Sequence, residues 1–142
     1  MEQVGESMDA GPAIVQVLVV DDQAPFRAAA RAVIARIHGF ELVAEATSGE
    51  EAVELVDQVR PAVVLMDINM GGMDGLEATK LITTTHPETL VILVSTYTEA
   101  DMPPAARSCG AAAYVNKDEL SPLVVRHLWE AGGDPAWLDR SA

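Results

Sequence analysis

Short apolar runs alternate with amphipathic stretches along most of the chain. Residues 14–20 are rich in β-branched side chains with little polar interruption, the pattern of a strand buried on both faces. Pro25 then opens a stretch that places Phe26, Ala30, Val33, Ile34 and Ile37 on one helical face, closing at His38-Gly39, a cation followed by a glycine suited to a helix end. The cycle repeats. Residues 41–46 read as a strand, and Ser48 is a candidate N-cap for a helix carrying Ala52, Leu55, Val56 and Val59. Residues 63–67 read as a third strand, followed by a loop with Gly71, Gly72 and Gly75 and a helix over 76–84. A fourth strand spans 90–95. Met102-Pro103-Pro104 then leaves room only for a weak helix over 103–108 before Gly110. A fifth strand spans 112–115, and Leu120, Leu123, Val124, His127 and Leu128 fall at helical spacing in a last helix. Residues 1–13 are polar and acidic and are expected to form a disordered tail. The stretch from Gly132 shows no periodicity, so residues 132–142 are expected to form a second tail, with Trp137 either docking it or left exposed, around one domain at 14–131.

Five strand–helix units in succession imply a parallel sheet covered on both faces, because parallel strands need crossover connections and those crossovers are right-handed. The expected fold is α/β, a doubly wound five-stranded parallel sheet of the flavodoxin-like kind with strand order 2-1-3-4-5. In that topology functional groups collect at the carboxyl ends of the strands, near the switch point between the first and third.

Composition narrows the function classes. The 142 residues suit a single domain. With 9 Lys and Arg against 22 Asp and Glu, the net charge of −13 has the wrong sign for neutralising nucleic-acid phosphates, so no direct nucleic-acid binding by this chain is expected. The apolar runs fall far short of the roughly 18–20 residues of a membrane helix, and no secretory signal is visible. A single cysteine, Cys109, fits a reducing, cytoplasmic setting and reads as a small packing residue.

Candidate chemistry gathers where the fold puts it. The first strand ends in Asp21-Asp22, the third in Asp67, the fourth in Ser95-Thr96, and the fifth runs into Asn116-Lys117. A single Asp or Ser after a strand is most often a turn former or helix cap. A whole edge of them is not explained that way. Two carboxylates about 4 Å apart repel by roughly 4 kcal/mol at an effective dielectric near 20, a large fraction of the ~5–15 kcal/mol that holds a domain together. Lys117 supplies one positive charge, and the remaining deficit calls for a hard divalent cation, Mg²⁺ or Mn²⁺ in its place, held by oxygen ligands. A carboxylate beside such an ion and a lysine can attack phosphorus to give an acyl phosphate.

These segments resemble the receiver domain of two-component response regulators. The matching stretches are Val17-Leu18-Val19-Val20-Asp21-Asp22, Leu65-Met66-Asp67-Ile68-Asn69-Met70, Gly72-Met73-Asp74-Gly75, Leu93-Val94-Ser95-Thr96-Tyr97 and Gly110-Ala111-Ala112-Ala113-Tyr114-Val115-Asn116-Lys117. The resemblance implies that Asp67 is the phosphoacceptor, and that Asp22 and Asp67 ligate Mg²⁺ with Asp21 acting mainly through water and the backbone carbonyl of Asn69 as a further ligand. It assigns Ser95 and Lys117 to the phosphoryl group and Tyr114 to the aromatic that changes rotamer on activation. Asn69 and Tyr97 lie where the family tunes hydrolysis. The implied partner is a sensor histidine kinase or phosphotransfer protein, with a downstream protein partner reading the fourth helix, fifth strand and last helix. A homodimer through the last helices stays open, as does the choice between a stand-alone module and the receiver part of a longer DNA-binding regulator.

Three positions depart from the family pattern. Gly71 replaces a proline and predicts a less pre-organised loop. Asp118 follows Lys117 where a cis-proline often stands, so a trans bond is expected. Asn116 replaces an apolar residue and is either a turn residue or a partner contact. Two other readings compete: a phosphate-independent interaction module, and an aspartyl-phosphate phosphohydrolase of the haloacid dehalogenase kind. The second is disfavoured because Asn69 stands where that group has its second acid. Asp74 reads as a helix cap, and His38, His86 and His127 are scattered and assigned no chemistry.

Overall fold

The computed structural model describes residues 13–141; the tail expected over 1–13 lies, Ala13 apart, outside them. Five parallel strands, β1 (Val15–Val20), β2 (Phe40–Ala46), β3 (Val63–Asp67), β4 (Leu90–Ser95) and β5 (Ala113–Asn116), lie in the order 2-1-3-4-5. This is the expected topology. Helices α1 (Ala24–Ala35), α2 (Gly49–Val59), α3 (Gly75–Thr85) and α4 (Pro122–Ala131) provide crossovers and covering layers, and a further short helix, α5 (Pro135–Ser141), follows α4.

The strand period of two explains how both faces are covered. Leu18, Val20, Val64, Met66, Val91 and Leu93 point to one face and pack with Ala52, Val56, Ala78 and Ile82 of α2 and α3. Their neighbours Val17, Val19, Val63, Leu65, Ile92 and Val94 point to the other and pack with Ala30 and Ile34 of α1 and Val125 of α4. The register of β1 against β2 slips between Val17 and Leu18, so Leu42 and Ala44 oppose consecutive residues and Val43 bulges.

Local chemistry sets the element ends. Ser48 is the N-cap of α2, its Oγ accepting from the Glu51 amide at 3.1 Å, and Asp74 caps α3 by accepting from the Glu77 amide at 2.8 Å. Helix α1 ends at Ala35, earlier than His38-Gly39, but Gly39 at φ +85° makes the reversal into β2. His86, at the end of α3, is buried with Nε2 2.7 Å from Asp57 Oδ1 of α2, a structural tie between neighbouring helices. Cys109 is buried, its Sγ 3.2 Å from the Ala106 carbonyl.

Two expectations need correction. The weak fourth helix is instead a pair of 3₁₀ segments, Glu99–Asp101 and Pro104–Ser108. Pro103 and Pro104 leave too few backbone donors between them and Gly110 for an α-helical ladder. The stretch from Gly132 is also not a simple tail. Gly132 ends α4 at φ +74°, Gly133 turns the chain at φ +127°, and α5 folds back so that Trp137 is only 2% exposed, in the same apolar cluster as Ala106 and Ala111. A seven-residue helix is too short to register as a periodic pattern, and its burial depends on one side chain.

The glycine loop between β3 and α3 is tied down at two points beyond Gly71. Met73 N–H donates to Glu50 Oε2 at 3.1 Å, and Gly75 N–H donates to the Ile68 carbonyl at 2.9 Å. A Cβ at Gly75 would lie 1.8 Å from the Asp67 carbonyl oxygen, whereas one at Gly71 would meet nothing within 4 Å at a backbone conformation open to other residues. Gly75→Ala is therefore expected to lower stability by at least ~1–3 kcal/mol, and Gly71→Ala to raise it by about 0.4–1 kcal/mol through the unfolded state. Urea denaturation reads both as midpoint shifts at constant slope; a Gly71→Ala midpoint below wild type would contradict the assignment.

Candidate phosphoacceptor site

The carboxyl edge of the sheet brings the predicted residues together. Asp21 and Asp22 follow β1 directly and Asp67 is the last residue of β3, the strand paired with it, so adjacency of β1 and β3 alone places all three carboxylates at one mouth. They offer oxygens that all lie within 4.8 Å of one another. Asp21 is fully buried, Asp67 nearly so, and Asp22 exposed. A cleft of about 220 Å³ opens there, lined by Asp22, Gln23, Asp67, Asn69, Ser95, Thr96 and Lys117.

Lys117, just past β5, reaches back across this edge. Its Nζ lies 2.7 Å from Asp21 Oδ2 and 3.5 Å from Asp67 Oδ1. The ammonium also sits 4.6 Å from the centroid of the Phe26 ring at the start of α1, a cation–π contact. Burial alone would depress the Lys117 pKa, but Asp21 and Asp67 outweigh it and hold the group above its ordinary value. Asp67 is pushed the other way. Burial first, then the Asp21 charge, raise its pKa to about 6 against the pull of Lys117.

The cluster therefore remains short of positive charge with Lys117 in place. Asp21 is held by its surroundings: Oδ1 accepts from Gln23 N–H at 2.8 Å, and Arg27 donates to its carbonyl at 2.8 Å. Its other oxygen, Oδ2, is buried and makes only the ion pair with Lys117, without an aligned hydrogen bond. A buried carboxylate oxygen whose only partner is the Lys117 ammonium, two further carboxylates and no His or Cys among the lining residues fit a hard divalent cation such as Mg²⁺, with Asp21, Asp22 and Asp67 as the donors.

Ser95 lines the cleft, but its Oγ is already engaged. It accepts from Tyr97 N–H at 2.9 Å and lies 3.3 Å from the Tyr114 hydroxyl. Tyr114 is not a cleft residue; it stands behind Ser95, donating to the Tyr97 and Ser95 carbonyls. Asn69 Nδ2 donates to the Tyr97 hydroxyl at 2.7 Å, which joins the loops after β3 and β4 across the cleft.

Asn116 is a turn residue: Oδ1 accepts from Asp118 N–H at 2.9 Å and Nδ2 donates to the Tyr97 carbonyl at 3.2 Å. The Lys117–Asp118 bond is trans. Gln23 and Arg27 hold Asp21 locally from the start of α1, just past β1, whereas Phe26 meets Lys117, which arrives from beyond β5, a contact no sequence signal marks.

Burial of Asp67 beside a second carboxylate has a measurable cost. A carboxyl whose pKa is raised by folding binds its proton more tightly in the folded state. Stability therefore falls as pH rises from about 4 to about 6 and stays lower above that window. In buffer free of divalent ions, Asp67→Asn is expected to be more stable than wild type at pH 7 by roughly 1–3 kcal/mol. The advantage should vanish below about pH 4, where wild-type Asp67 is protonated in both states. Thermal unfolding across this range checks it, and a variant less stable than wild type at pH 7 would contradict it.

Comparison with known proteins agrees with this geometry. Residues 17–127 match the family model of the response regulator receiver domain. Response regulator GacA of Pseudomonas viridiflava is 38% identical over 104 residues, covering 73% of this chain and 49% of that protein. Transcriptional regulatory protein DegU of Brevibacillus brevis is 34% identical over 117 residues, covering 82% of this chain and 47% of its own length. The chain thus spans about half the length of these curated relatives. Among solved structures, the signal receiver domain of the putative response regulator NarL from Mycobacterium tuberculosis superposes with a TM-score of 0.76 at 30% identity, covering 84% of this chain and 97% of that one. With the family model spanning most of the chain and the acidic cluster at the expected strand ends, the protein belongs to the response regulator receiver domain family.

Proposed function

We propose that this receiver accepts a phosphoryl group on Asp67 from a phosphohistidine on a sensor histidine kinase or phosphotransfer protein, in a Mg²⁺-dependent reaction. The observation that carries the reading is the Lys117 ammonium between Asp21 and Asp67 in a cleft whose three carboxylates still lack compensating charge. In the metal-free site burial and the Asp21 charge raise the Asp67 pKa to about 6, so the carboxylate is ionised and able to attack at neutral pH, and a bound cation would favour that charged form further. One Asp67 oxygen attacks phosphorus, an O–P bond forms, the P–N bond to the donor imidazole breaks, and the imidazole leaves with its electron pair.

Asp21, Asp22 and Asp67 would hold the Mg²⁺, with the Asn69 carbonyl as a further donor. Bound there, the ion would supply positive charge for the transferring phosphoryl oxygens. Lys117 is within reach of the same oxygens. Ser95 and Thr96 offer hydroxyls from the cleft wall, and Ser95 must exchange its present partners to use its own. Asn69 and Tyr97, hydrogen-bonded at the mouth, stand where they would limit access of the water that hydrolyses the acyl phosphate.

The output is read by a downstream partner at the face built from β5, α4 and the 3₁₀ segments that replace the fourth helix. Because the curated relatives are about twice as long and DegU is named a transcriptional regulator, the favoured reading is the receiver part of a longer regulator of transcription. Among the described residues no helix is long and apolar enough to cross a membrane, consistent with the cytoplasmic setting that two-component phosphotransfer requires.

Intact-mass spectrometry after incubation with acetyl phosphate tests the acceptor and the metal together. Wild type should gain one phosphate only with Mg²⁺, Asp67→Asn none, and Lys117→Ala should gain it at least about tenfold more slowly, the loss expected when one charge-stabilising group is removed. No gain by folded wild type, or a gain surviving Asp67→Asn, would overturn the reading.

A further inference from the structure

The route out of the cleft leads to a part of the chain that the proposed function does not use. Ser95 Oγ lies 3.3 Å from the Tyr114 hydroxyl, and the Tyr114 ring packs against Trp137 of α5 at 6.2 Å between centroids, tilted by 35°. Trp137 is seated from three sides. Its indole N–H donates to the Ala111 carbonyl at 3.2 Å, the Arg107 guanidinium lies 4.6 Å from its ring centroid, and its ring joins the apolar cluster under the 3₁₀ segment Pro104–Ser108.

The chain is shaped to deliver it there. A Cβ at Gly133 would come within 2.8 Å of the Ala112 carbonyl oxygen, so the chain passes tightly over the start of β5. Asp134 N–H donates to that same carbonyl at 3.0 Å, and Asp134 Oδ1 accepts from Ala136 N–H at 3.0 Å in the first turn of α5. Beside this seat an open groove of about 700 Å³ runs between α5 and the loop after β5, with Tyr97, Tyr114 and Asn116 among its walls. It gives Tyr114 and α5 room to move relative to each other. Helix α5 spans only seven residues, below the length at which a helix is stable alone, so its docking depends on Trp137 and these few contacts.

We propose that α5 is an intramolecular latch on the β5 face, seated by Trp137 and loosened when a phosphoryl group on Asp67 draws the Ser95 hydroxyl away from Tyr114. The proposal rests on Asp67 being the phosphoacceptor. An anionic oxygen in the cleft is a stronger acceptor than a neutral tyrosine hydroxyl. Ser95 turning to it removes one of the partners of the Tyr114 hydroxyl, which is then held only through the Tyr97 and Ser95 carbonyls. In the unphosphorylated chain the latch covers part of the face that a downstream protein would read. A helix that occupies this face in one state and loosens in the other makes exposure of the face depend on the cleft, and by linkage makes affinity at the cleft depend on the latch.

Hydrogen exchange on the wild-type chain, read by mass spectrometry with and without acetyl phosphate and Mg²⁺, tests this without a substitution. Intact mass on the same samples reports the phosphate. The expected result is a phosphate gain accompanied by at least about fivefold faster exchange at residues 138–141, the lower end of coupling between linked sites. Phosphate gained with exchange unchanged or slowed overturns the latch alone. No phosphate gained overturns the latch together with the proposed function.

The reciprocal experiment measures binding of beryllofluoride, a tetrahedral mimic of a phosphoryl group on a carboxylate, in the presence of Mg²⁺. Trp137→Ala should bind it at least about fivefold more tightly than wild type, and unchanged or weaker binding overturns the proposal. Because Trp137→Ala removes a ring from the core, Trp137→Phe is the companion variant. It keeps an aromatic ring, loses the hydrogen bond to Ala111, and should fall between wild type and Trp137→Ala.

Discussion

Electrostatic crowding at one edge of an apolar sheet is the constraint around which this molecule is arranged. Apart from Glu41 and Glu45 on the partly exposed edge strand β2, the strands are apolar along almost their whole length and carry charge only where β1 and β3 run out. Parallel pairing of those two strands forces Asp21, Asp22 and Asp67 into one small space, with interactions of about 3–4 kcal/mol per carboxylate pair at an effective dielectric near 20. Lys117, Phe26, Gln23 and Arg27 each answer part of that load, from β5 and from the start of α1. The unmet remainder is what makes the cleft receptive to a cation, and it adds to burial in making Asp67 unusually basic.

A second constraint follows from the fourth crossover. Two prolines prevent a full helix over β4 and β5, and the thin 3₁₀ segment that results cannot cover the sheet there alone. Trp137 supplies the missing apolar volume from α5, packing with Ala106 and Ala111. The part of the structure with least local order is thus completed by a single side chain from distant sequence. That same side chain touches Tyr114, one residue removed from the cleft wall. A load-sharing core and a path from the cleft coincide at Trp137.

Much of this was legible in the sequence because it depends on short-range patterns. All five strands were predicted to within a residue or two, most clearly β1, β3 and β4, whose β-branched, almost wholly buried runs have no polar alternation to blur them. Ser48 and Asp74 were readable as caps because a cap acts only on the next three residues. The cleft residues were legible for a different reason: parallel topology puts every strand end on one edge, so identities at strand ends become neighbours without further detail. What no local pattern recorded was how the glycine loop is restrained beyond Gly71. The restraint comes from Glu50 on another helix and from Gly75, whose closeness to the Asp67 carbonyl no local signal records.

The sequence by itself determined five strand–helix units of a parallel sheet and the acidic and basic residues at their ends, because these follow from hydrophobic period and the crossovers that parallel strands need. The order 2-1-3-4-5 came from the likeness to the flavodoxin-like fold. Tertiary structure alone decided that Ser95 is held by Tyr97 and Tyr114, that Asn116 closes a turn, and that Trp137 comes back to seal the β5 face. Each of these depends on the direction of a side chain or on a chain reversal at two adjacent glycines. Such features are set by packing between elements far apart in sequence, and no periodicity within one element encodes them.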